Sequence, residues 1–191
     1  MEIKKIEEEI KNCKKCRLWK ERKNPVPGEG NYNAKLMLIG EAPGKNEDEE
    51  GRPFVGNAGK ILNNALEKNG IDRKSVYITN VVKCHPPKNR APYEDEIKKC
   101  SHYLQKQIEL INPEIIATLG NFSTKTIFRF FGFKEEAISK LHGKIFVSPL
   151  HNIKIFPTFH PAACIYNPFL LDKFEKDIEK LAEIFKSLYR V

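Results

Sequence analysis

The sequence of 191 residues has no long apolar run and no apolar signal region at its start. A membrane-spanning helix needs about 18 consecutive apolar residues, and an export signal needs an apolar segment behind a basic one. This chain instead opens with the mixed-charge stretch MEIKKIEEEIKNC, and it lacks internal repeats, low-complexity tracts and linkers. We therefore expect a single domain over residues 1–191, located in the cytoplasm and without a membrane partner, that buries a substantial core.

Acidic residues are in the minority: 25 aspartates and glutamates face 33 lysines and arginines, which leaves a formal charge of +8. A basic surface favours polyanionic partners, because each phosphate that it neutralises releases counterions. However, lysine supplies 26 of the 33 basic residues and glutamine occurs only twice, a composition typical of heat-adapted proteins. Charge alone permits a nucleic-acid partner without requiring one.

Cysteine is scarce, with five residues, and in a reducing compartment we do not expect disulfides. Cys13 and Cys16 form a C-x2-C pair, Cys84 and Cys100 follow separately, and Cys164 stands apart. Such a pair plus two further thiolates makes a four-thiolate shell for zinc or for an iron–sulfur cluster. Four unrelated buried thiols are the alternative, but a C-x2-C pair in a lysine-rich loop has little packing purpose. The spacing leaves the metal undecided.

Apolar runs and helical periodicities alternate along the chain in the manner of α/β folds. The final predicted helix runs from Phe169 to Tyr189, and earlier ones run from Asn57, as the N-cap, to Gly70 and from about residue 92 to 111. The predicted strands are KLMLIG, SVYITNVV, EIIATLG, GKIFVSPL and NIKIFPTF. The pattern predicts a three-layer α/β/α sandwich with a central, mostly parallel sheet of about four strands.

Polar side chains follow three of these strands. Glu41 follows KLMLIG, Asn80 ends SVYITN and His160 follows IKIFPTF, while Phe54 lies in the glycine-flanked loop GRPFVG. Ligand crevices of parallel sheets lie beyond the carboxyl ends of the strands. We therefore expect a carboxylate, an amide, an imidazole and an aromatic ring to meet in one pocket. Each has an ordinary alternative as a cap, turn former, strand terminator or core residue, but together they favour a site.

The motifs GEAPG, GRPFVGNAGK, VYITNVVKC and FHPAA, with the paired cysteines, together resemble the family-four uracil-DNA glycosylases, the iron–sulfur type of thermophiles. The resemblance spans Cys13 to Asn167 with the motifs in the same order. It implies a monofunctional enzyme that flips uracil out of DNA and hydrolyses its N-glycosidic bond. The product is an abasic site for base excision repair, and the implied partner is uracil-containing DNA.

The resemblance also implies roles for individual residues. His160 would contact a uracil carbonyl, and Glu41 would orient water or favour the cationic sugar, which makes these two the catalytic residues. Phe54 would stack on the base and Asn80 would read its edge. The implied substrate pocket consists of Gly40, Glu41, Ala42, Phe54, Asn80 and His160, and the implied ligands of a structural [4Fe–4S] cluster are Cys13, Cys16, Cys84 and Cys100.

Base choice adds a further expectation. Uracil offers a donor at N3 and an acceptor at O4, which one amide can satisfy together, and cytosine reverses this pattern. Because a free amide can rotate to suit cytosine, we expect a hydrogen-bond partner that locks the Asn80 side chain. Thymine would be refused by a wall against its methyl group, for which Glu47 in the loop 45–50 is the candidate.

Around the pocket, the loop KCHPPKNRAP offers Lys83, Lys88 and Arg90 to DNA phosphates, and residues 162–167 would wedge into the vacated base stack. Two features depart from the family pattern. Cys164, Ile165 and Tyr166 stand where relatives often carry leucines and an arginine. The histidine-bearing insertion of covalently trapping relatives is absent before Pro92, so ordinary turnover is expected.

Other functions stay open at this point. One is a noncatalytic iron–sulfur nucleic-acid-binding module on the same fold. Another is a zinc deaminase, although its His-x-Glu and Pro-Cys-x2-Cys pattern is missing. The stretch TKTIFRFF, residues 124–131, resembles a sliding-clamp-binding peptide; the favoured alternative is a core helix that buries Ile127 and the phenylalanines. We expect a monomer.

Overall fold

A computed structural model describes residues 2–188 of the chain. None of its helices is long and apolar enough to cross a membrane within that range. The strands described there are β1 (Glu29–Gly30), β2 (Leu36–Gly40), β3 (Tyr77–Asn80), β4 (Ile115–Leu119), β5 (Phe146–Val147) and β6 (Lys154–Thr158). The α-helices are α1 (Glu2–Lys11), α2 (Lys45–Glu50), α3 (Asn57–Lys68), α4 (Glu94–Ile111), α5 (Asn121–Phe131), α6 (Ile138–Leu141), α7 (Pro161–Cys164) and α8 (Pro168–Ser187). Short 3₁₀ helices cover Arg17–Lys20, Arg73–Ser75 and Pro87–Asn89.

The strands form one sheet in the order β1-β3-β2-β4-β6-β5. Its four inner strands are parallel, whereas β1 and β5 are two-residue antiparallel strands at the edges. The prediction of a mostly parallel sheet is confirmed, with about four strands in its inner part and two short ones added. The pattern predicts a full strand over GKIFVSPL, but only β5 pairs, because the chain turns between Ser148 and Ile153, whose backbone groups bond across the turn (2.9 Å).

Helices cover both faces of the sheet, which confirms the predicted three-layer α/β/α sandwich. Side chains alternate along a strand, so Met37 and Ile39 face one side while Leu36 and Leu38 face the other. On the first side α1, α4 and α5 complete the core, and on the second side α3 and α8 do so. Every residue of β2 and β4 is buried, which explains why these strands are continuous apolar runs.

Two predicted helix boundaries shift slightly. α3 has Gly56 as its N-cap, so Asn57 is its first residue and not its cap, and it ends at Lys68 rather than at Gly70. The last helix, α8, carries the expected apolar spacing on the side that faces the sheet. Its predicted end, Tyr189, lies outside the described residues.

The clamp-like stretch lies within α5 and is part of the core. Ile127 and Phe128 are almost completely buried. Phe130 and Phe131 are partly buried against the same cluster. A clamp-binding peptide has to present these side chains to its partner, so their burial favours the core-helix interpretation.

The start of α4 depends on one buried carboxylate. The sequence predicts a start near residue 92, but Glu96 accepts a hydrogen bond from the backbone N–H of Tyr93 (2.8 Å) and delays the helix to Glu94. Glu96 also accepts from both terminal nitrogens of Arg90, at 2.9 and 2.7 Å. Burial by itself raises the pKa of Glu96, but these donors outweigh it and hold the pKa below its usual value.

We expect Glu96→Gln to lower the free energy of unfolding at neutral pH by about 2 kcal/mol, because the charge-assisted hydrogen bonds are lost. A carboxyl whose folded-state pKa is depressed contributes stability above its unfolded value of about 4.3, and this contribution is lost as the pH falls through the folded-state value. The difference from wild type should therefore shrink on acidification. Urea denaturation over a pH series measures it, with exposed Glu94→Gln as the control; equal stability of all three proteins at neutral pH contradicts the role of Glu96.

Candidate active site

A cavity of about 410 Å³ opens at the edge of the sheet where the inner strands end. Ligand crevices of parallel α/β sheets lie at this edge. The cavity brings together five of the six predicted pocket residues, from four separate segments of the chain. They are Glu41, Ala42, Phe54, Asn80 and His160.

The sixth predicted pocket residue, Gly40, stands directly behind the cavity wall. It ends β2 and pairs in register with Asn80. A side chain at this position would overlap the amide oxygen of Asn80 and the ring of Phe54. Glycine therefore allows the amide and the ring to pack together, and the predicted role of Gly40 in the pocket wall stays a prediction.

Asn80 ends β3 with a buried amide whose oxygen has no partner. The residue is 2 % exposed, and its Oδ1 has no hydrogen-bond donor among the described residues. The expected lock on the amide is thus missing for this oxygen, which lies beside Gly40 and near the ring of Phe54. A buried oxygen without a donor costs about 1–3 kcal/mol. A ligand that donates to this oxygen recovers that free energy.

His160 follows β6 as the N-cap of α7, and its ring is held in one tautomer. The backbone N–H of Ala162 donates to Nδ1 at 3.0 Å, which leaves the ring proton on Nε2. Burial lowers the pKa of His160 to about 4, and Glu47 opposes this shift. At neutral pH the imidazole is an uncharged donor at the cavity wall, with its ring centroid 5.7 Å from that of Phe54.

Glu41 lies directly after β2, and its carboxylate has no hydrogen-bond or ion-pair partner within residues 2–188. Its backbone is anchored by the N–H of Val82, which donates to the Glu41 carbonyl at 3.0 Å. Burial raises the pKa of Glu41 above its usual value. The carboxylate thus lines the cavity with its full capacity to accept hydrogen bonds.

Glu47 in α2 connects the loop after β2 to the loop that carries Phe54. Its Oε2 accepts from the backbone N–H of Gly44 at 3.1 Å, and its Oε1 accepts from those of Val55 and Gly56, each at 2.9 Å. The side chain also lines the cavity, where the sequence suggests a wall against a methyl group. Its position fits that suggestion, and its contacts show that it also holds the two loops together.

Lys83 is buried, which makes the prediction that it meets phosphates wrong. Its Nζ donates to Thr79 Oγ1 (2.6 Å), to the carbonyl of Asn80 (2.7 Å) and to Gln107 Oε1 (2.6 Å). Burial lowers the pKa of Lys83 to about 7. A lysine after a strand end is usually exposed, but here three acceptors from β3 and α4 satisfy its ammonium inside the protein.

The rest of the loop KCHPPKNRAP borders the cavity. Arg90 lines it, but its guanidinium is bound by Glu96 and lies 3.7 Å from the ring centroid of Tyr93. Lys88 is solvent-exposed, so among the three predicted phosphate contacts it is the one whose position fits. The loop adds Pro86 and Asn89 to the lining. Sequence reasoning missed these two, because nothing distinguishes them from other turn residues.

Four of the five cysteines line a second, smaller cavity between the segment after α1, the segment after β3 and α4. Cys164 is not among them and packs in α7 on the other face of the sheet. The lining thiols are those of Cys13, Cys16, Cys84 and Cys100. The structure thus brings together the four cysteines whose spacing suggests a metal site and separates the fifth.

The thiols in this cavity have donors nearby. Arg22 Nη1 lies 3.0 Å from Cys84 Sγ, and the backbone N–H of Lys83 lies 3.4 Å from Cys100 Sγ. Burial raises the pKa of Cys100 to about 12. Within residues 2–188, no group of three or more cysteine, histidine or acidic side chains is arranged to hold one metal ion.

The chain is similar to named proteins over most of its length. Residues 27–186 match the family model of the Uracil DNA glycosylase superfamily. A type-4 uracil-DNA glycosylase of Saccharolobus solfataricus is 52% identical over 185 residues, which cover 95% of this chain and 86% of the relative. Those of Archaeoglobus fulgidus (44% over 181 residues, 94% and 91%) and Thermotoga maritima (45% over 167 residues, 87% and 84%) are also similar. The chain therefore belongs to the type-4 uracil-DNA glycosylases of this superfamily.

Proposed function

We propose that this chain is a monofunctional uracil-DNA glycosylase that flips uracil out of DNA and hydrolyses its N-glycosidic bond, leaving an abasic site. The carrying observation is the cavity in which Asn80, Glu41 and His160 meet with polar atoms left free for a ligand. In a noncatalytic module on the same fold, a buried amide oxygen without a donor would lower the stability of the protein and serve no ligand. The deaminase alternative loses its basis, since the chain belongs to a glycosylase family.

His160 supports departure of the base. Cleavage of the N-glycosidic bond leaves negative charge on a uracil carbonyl oxygen, and a donor aimed at this oxygen acts as the charge develops. The neutral tautomer with its proton on Nε2 provides such a donor. Because burial keeps the imidazole uncharged at neutral pH, its contribution is a hydrogen bond from a fixed ring and not a full positive charge.

Glu41 serves the sugar side of the reaction. The bond breaks towards an oxocarbenium-like sugar, which needs a nearby negative charge and a water molecule that attacks it. A carboxylate without partners in the protein can accept a hydrogen bond from that water and stabilise the cation. Glu41 lines the cavity, and its carboxylate has no partner among residues 2–188, which supports this role.

Asn80 and Phe54 recognise the base. Uracil presents N3–H to an amide oxygen and O4 to an amide N–H, and the unpartnered Oδ1 of Asn80 supports the first of these contacts. Phe54 provides a ring face against which a flat base stacks. In our proposal, close packing beside Gly40 and the Phe54 ring holds the amide in place of the expected hydrogen-bonded lock.

A uracil base can enter this cavity only after its nucleotide has flipped out of the base stack of the DNA. The segment 162–167 borders the cavity through Ala162 and Ala163 and continues to Tyr166, which is 93 % exposed. In our proposal Tyr166 enters the gap that the flipped base leaves. In the same proposal the solvent-exposed Lys88 contacts a phosphate.

Cys13, Cys16, Cys84 and Cys100 would hold a [4Fe–4S] cluster. A single zinc ion requires four sulfurs about 2.3 Å from one point, whereas in a cluster each thiolate binds a different iron atom. Four thiols that line one cavity supply one thiolate for each iron atom of such a cluster. When bound, the cluster is a structural element, because hydrolysis of the glycosidic bond includes no redox step.

The proposal extends to the setting of the enzyme. We infer one domain over residues 1–191 that acts as a monomer in the cytoplasm, where reducing conditions keep the cysteines available as ligands. A sliding clamp is not part of the proposal, because Ile127 and Phe128 are buried in α5.

Wild-type protein should release uracil, but not thymine or cytosine, from matched oligonucleotides, as seen by alkaline cleavage of the abasic sites. We expect His160→Ala to lower the single-turnover rate on uracil about 10²-fold, because one donor to the developing anion is lost. DNA affinity should change little, since phosphate contacts dominate it. His151→Ala, an exposed histidine in the turn before β6, is the control. A His160→Ala rate within about a factor of two of wild type would refute the role.

Asn80→Asp should abolish most uracil excision and produce slight cytosine excision. The change removes the donor that O4 of uracil needs and supplies an acceptor for the amino group of cytosine, and mispaired buried polar groups reject a base by up to about 10⁴-fold. Base release from matched uracil and cytosine oligonucleotides measures both effects, with exposed Asn12→Asp as the control. Undiminished uracil excision by Asn80→Asp shows that this residue does not read the base.

Cys100→Ser should lose iron, lose the brown visible absorption of a cluster and lower the melting temperature, because one of four ligands is removed. Cys164→Ser is the matched control, since Cys164 is also buried but lies outside the cavity of thiols. Iron analysis and absorption spectra of purified proteins give the answer. Equal iron in wild type and Cys100→Ser overturns the ligand assignment.

A further inference from the structure

Phe54 has a backbone conformation that its residue type disfavours. Its φ is 51°, in the left-handed region that non-glycine residues seldom occupy. Such a conformation persists only where the surroundings determine it, and it is commonly found at functional sites. What holds Phe54 in this conformation therefore also sets where its ring lies in the cavity.

Arg73 is the side chain that holds this backbone from outside the cavity. Its Nη1 donates to the carbonyl of Phe54 at 3.2 Å, and its Nη2 donates to the carbonyl of Pro53. Gly59 lies directly under the same turn, where an added side-chain carbon would overlap the Phe54 carbonyl. On the other side of the turn, Glu47 accepts the next two backbone N–H groups. The strained residue is thus fixed through its own backbone neighbours.

Every N–H of the Arg73 guanidinium has an acceptor. Besides the two carbonyls, Nη1 donates to Asn63 Oδ1 (2.6 Å), and Nη2 and Nε donate to Glu29 Oε1 (2.8 and 3.2 Å). A guanidinium has five N–H groups in a planar fork, whereas an ammonium has three on a single nitrogen. The site therefore suits arginine and not a positive charge in general.

We propose that Arg73 is a positioning residue for base excision: it holds Phe54 in the left-handed conformation that presents the ring to the flipped base. The inference rests on the proposed function and assigns Arg73 no contact with substrate. Without the guanidinium, the two carbonyls lose their donors and the turn relaxes to negative φ. The ring then leaves its place beside His160, and the base loses its stacking surface.

The competing explanation is that Arg73 only fastens β1 to the rest of the protein through Glu29. Arg52 provides the matched control, because it also binds Glu29, with Nε 2.8 Å from Oε2, but it has no bond to the carbonyls of the turn. Removing either arginine weakens the contact with Glu29. Only the removal of Arg73 frees Phe54.

The experiment compares Arg73→Met, Arg73→Lys and Arg52→Met in single-turnover uracil release and in thermal unfolding. We expect Arg73→Met to lose about 10²-fold in rate, as misplacement of a positioning group by about 1 Å does, and Arg52→Met to stay within about a factor of two. Arg73→Lys should keep the ion pair with Glu29 and most of the melting temperature but still lose rate, because three N–H donors cannot replace the five hydrogen bonds of the guanidinium. It keeps the test decisive even if Arg73→Met does not fold.

A double-mutant cycle with Phe54→Ala tests whether Arg73 acts through Phe54. In the Phe54→Ala background, Arg73→Lys should change the rate by less than about twofold, since the ring that it positions is gone. The inference about Arg73 would be overturned if Arg73→Lys released uracil as fast as Arg52→Met. It would also be overturned if Arg73→Lys lowered the rate as much in the Phe54→Ala background as in wild type. Neither outcome would affect the proposed function. A wild-type protein that releases no uracil would instead overturn the proposed function.

Discussion

The parallel pairing of the inner strands is the constraint on which the rest of the site depends. Gly40 of β2 lies in register with Asn80 of β3, and β4 and β6 end together at Leu119 and Thr158. Parallel strands present their carboxyl ends at one edge of the sheet, so the residues that follow them meet whatever their separation along the chain. The apolar layers on both faces bury every residue of these strands except Lys154 at the start of β6, and polar side chains are accommodated where the strands end.

The polar groups of the site fall into two kinds. Arg73, Glu47 and Lys83 have their hydrogen-bonding groups satisfied by the protein itself, and each holds a loop or a strand end in place. Asn80 and Glu41, by contrast, keep oxygen atoms without partners among the described residues. An unsatisfied buried atom destabilises the fold and a ligand can satisfy it. We therefore assign a structural role to the satisfied residues and a role in ligand binding to the residues with unpaired oxygens.

The cavity of thiols and the base pocket share one short segment. Lys83 stands beside Cys84, its backbone N–H lies 3.4 Å from the sulfur of Cys100, and its ammonium donates to the carbonyl of Asn80. One residue thus contacts both a thiol of this cavity and the backbone of Asn80, whose side chain we propose reads the base. The cluster that we propose would therefore lie next to the end of β3 and would support it without any redox chemistry.

The sequence by itself determined the inner strands, the three layers and the strand-end positions of Glu41, Asn80 and His160. Fully buried strands and amphipathic helices have local patterns of apolar residues, and these patterns predict them from the sequence alone. Only the tertiary structure decided that Lys83 turns inward, that the oxygen of Asn80 has no locking partner among the described residues and that Arg73 donates to the backbone of Phe54. These outcomes depend on contacts between segments far apart along the chain, such as Arg73 with Phe54 and Lys83 with α4. No local pattern records such contacts, because they arise only when the layers pack.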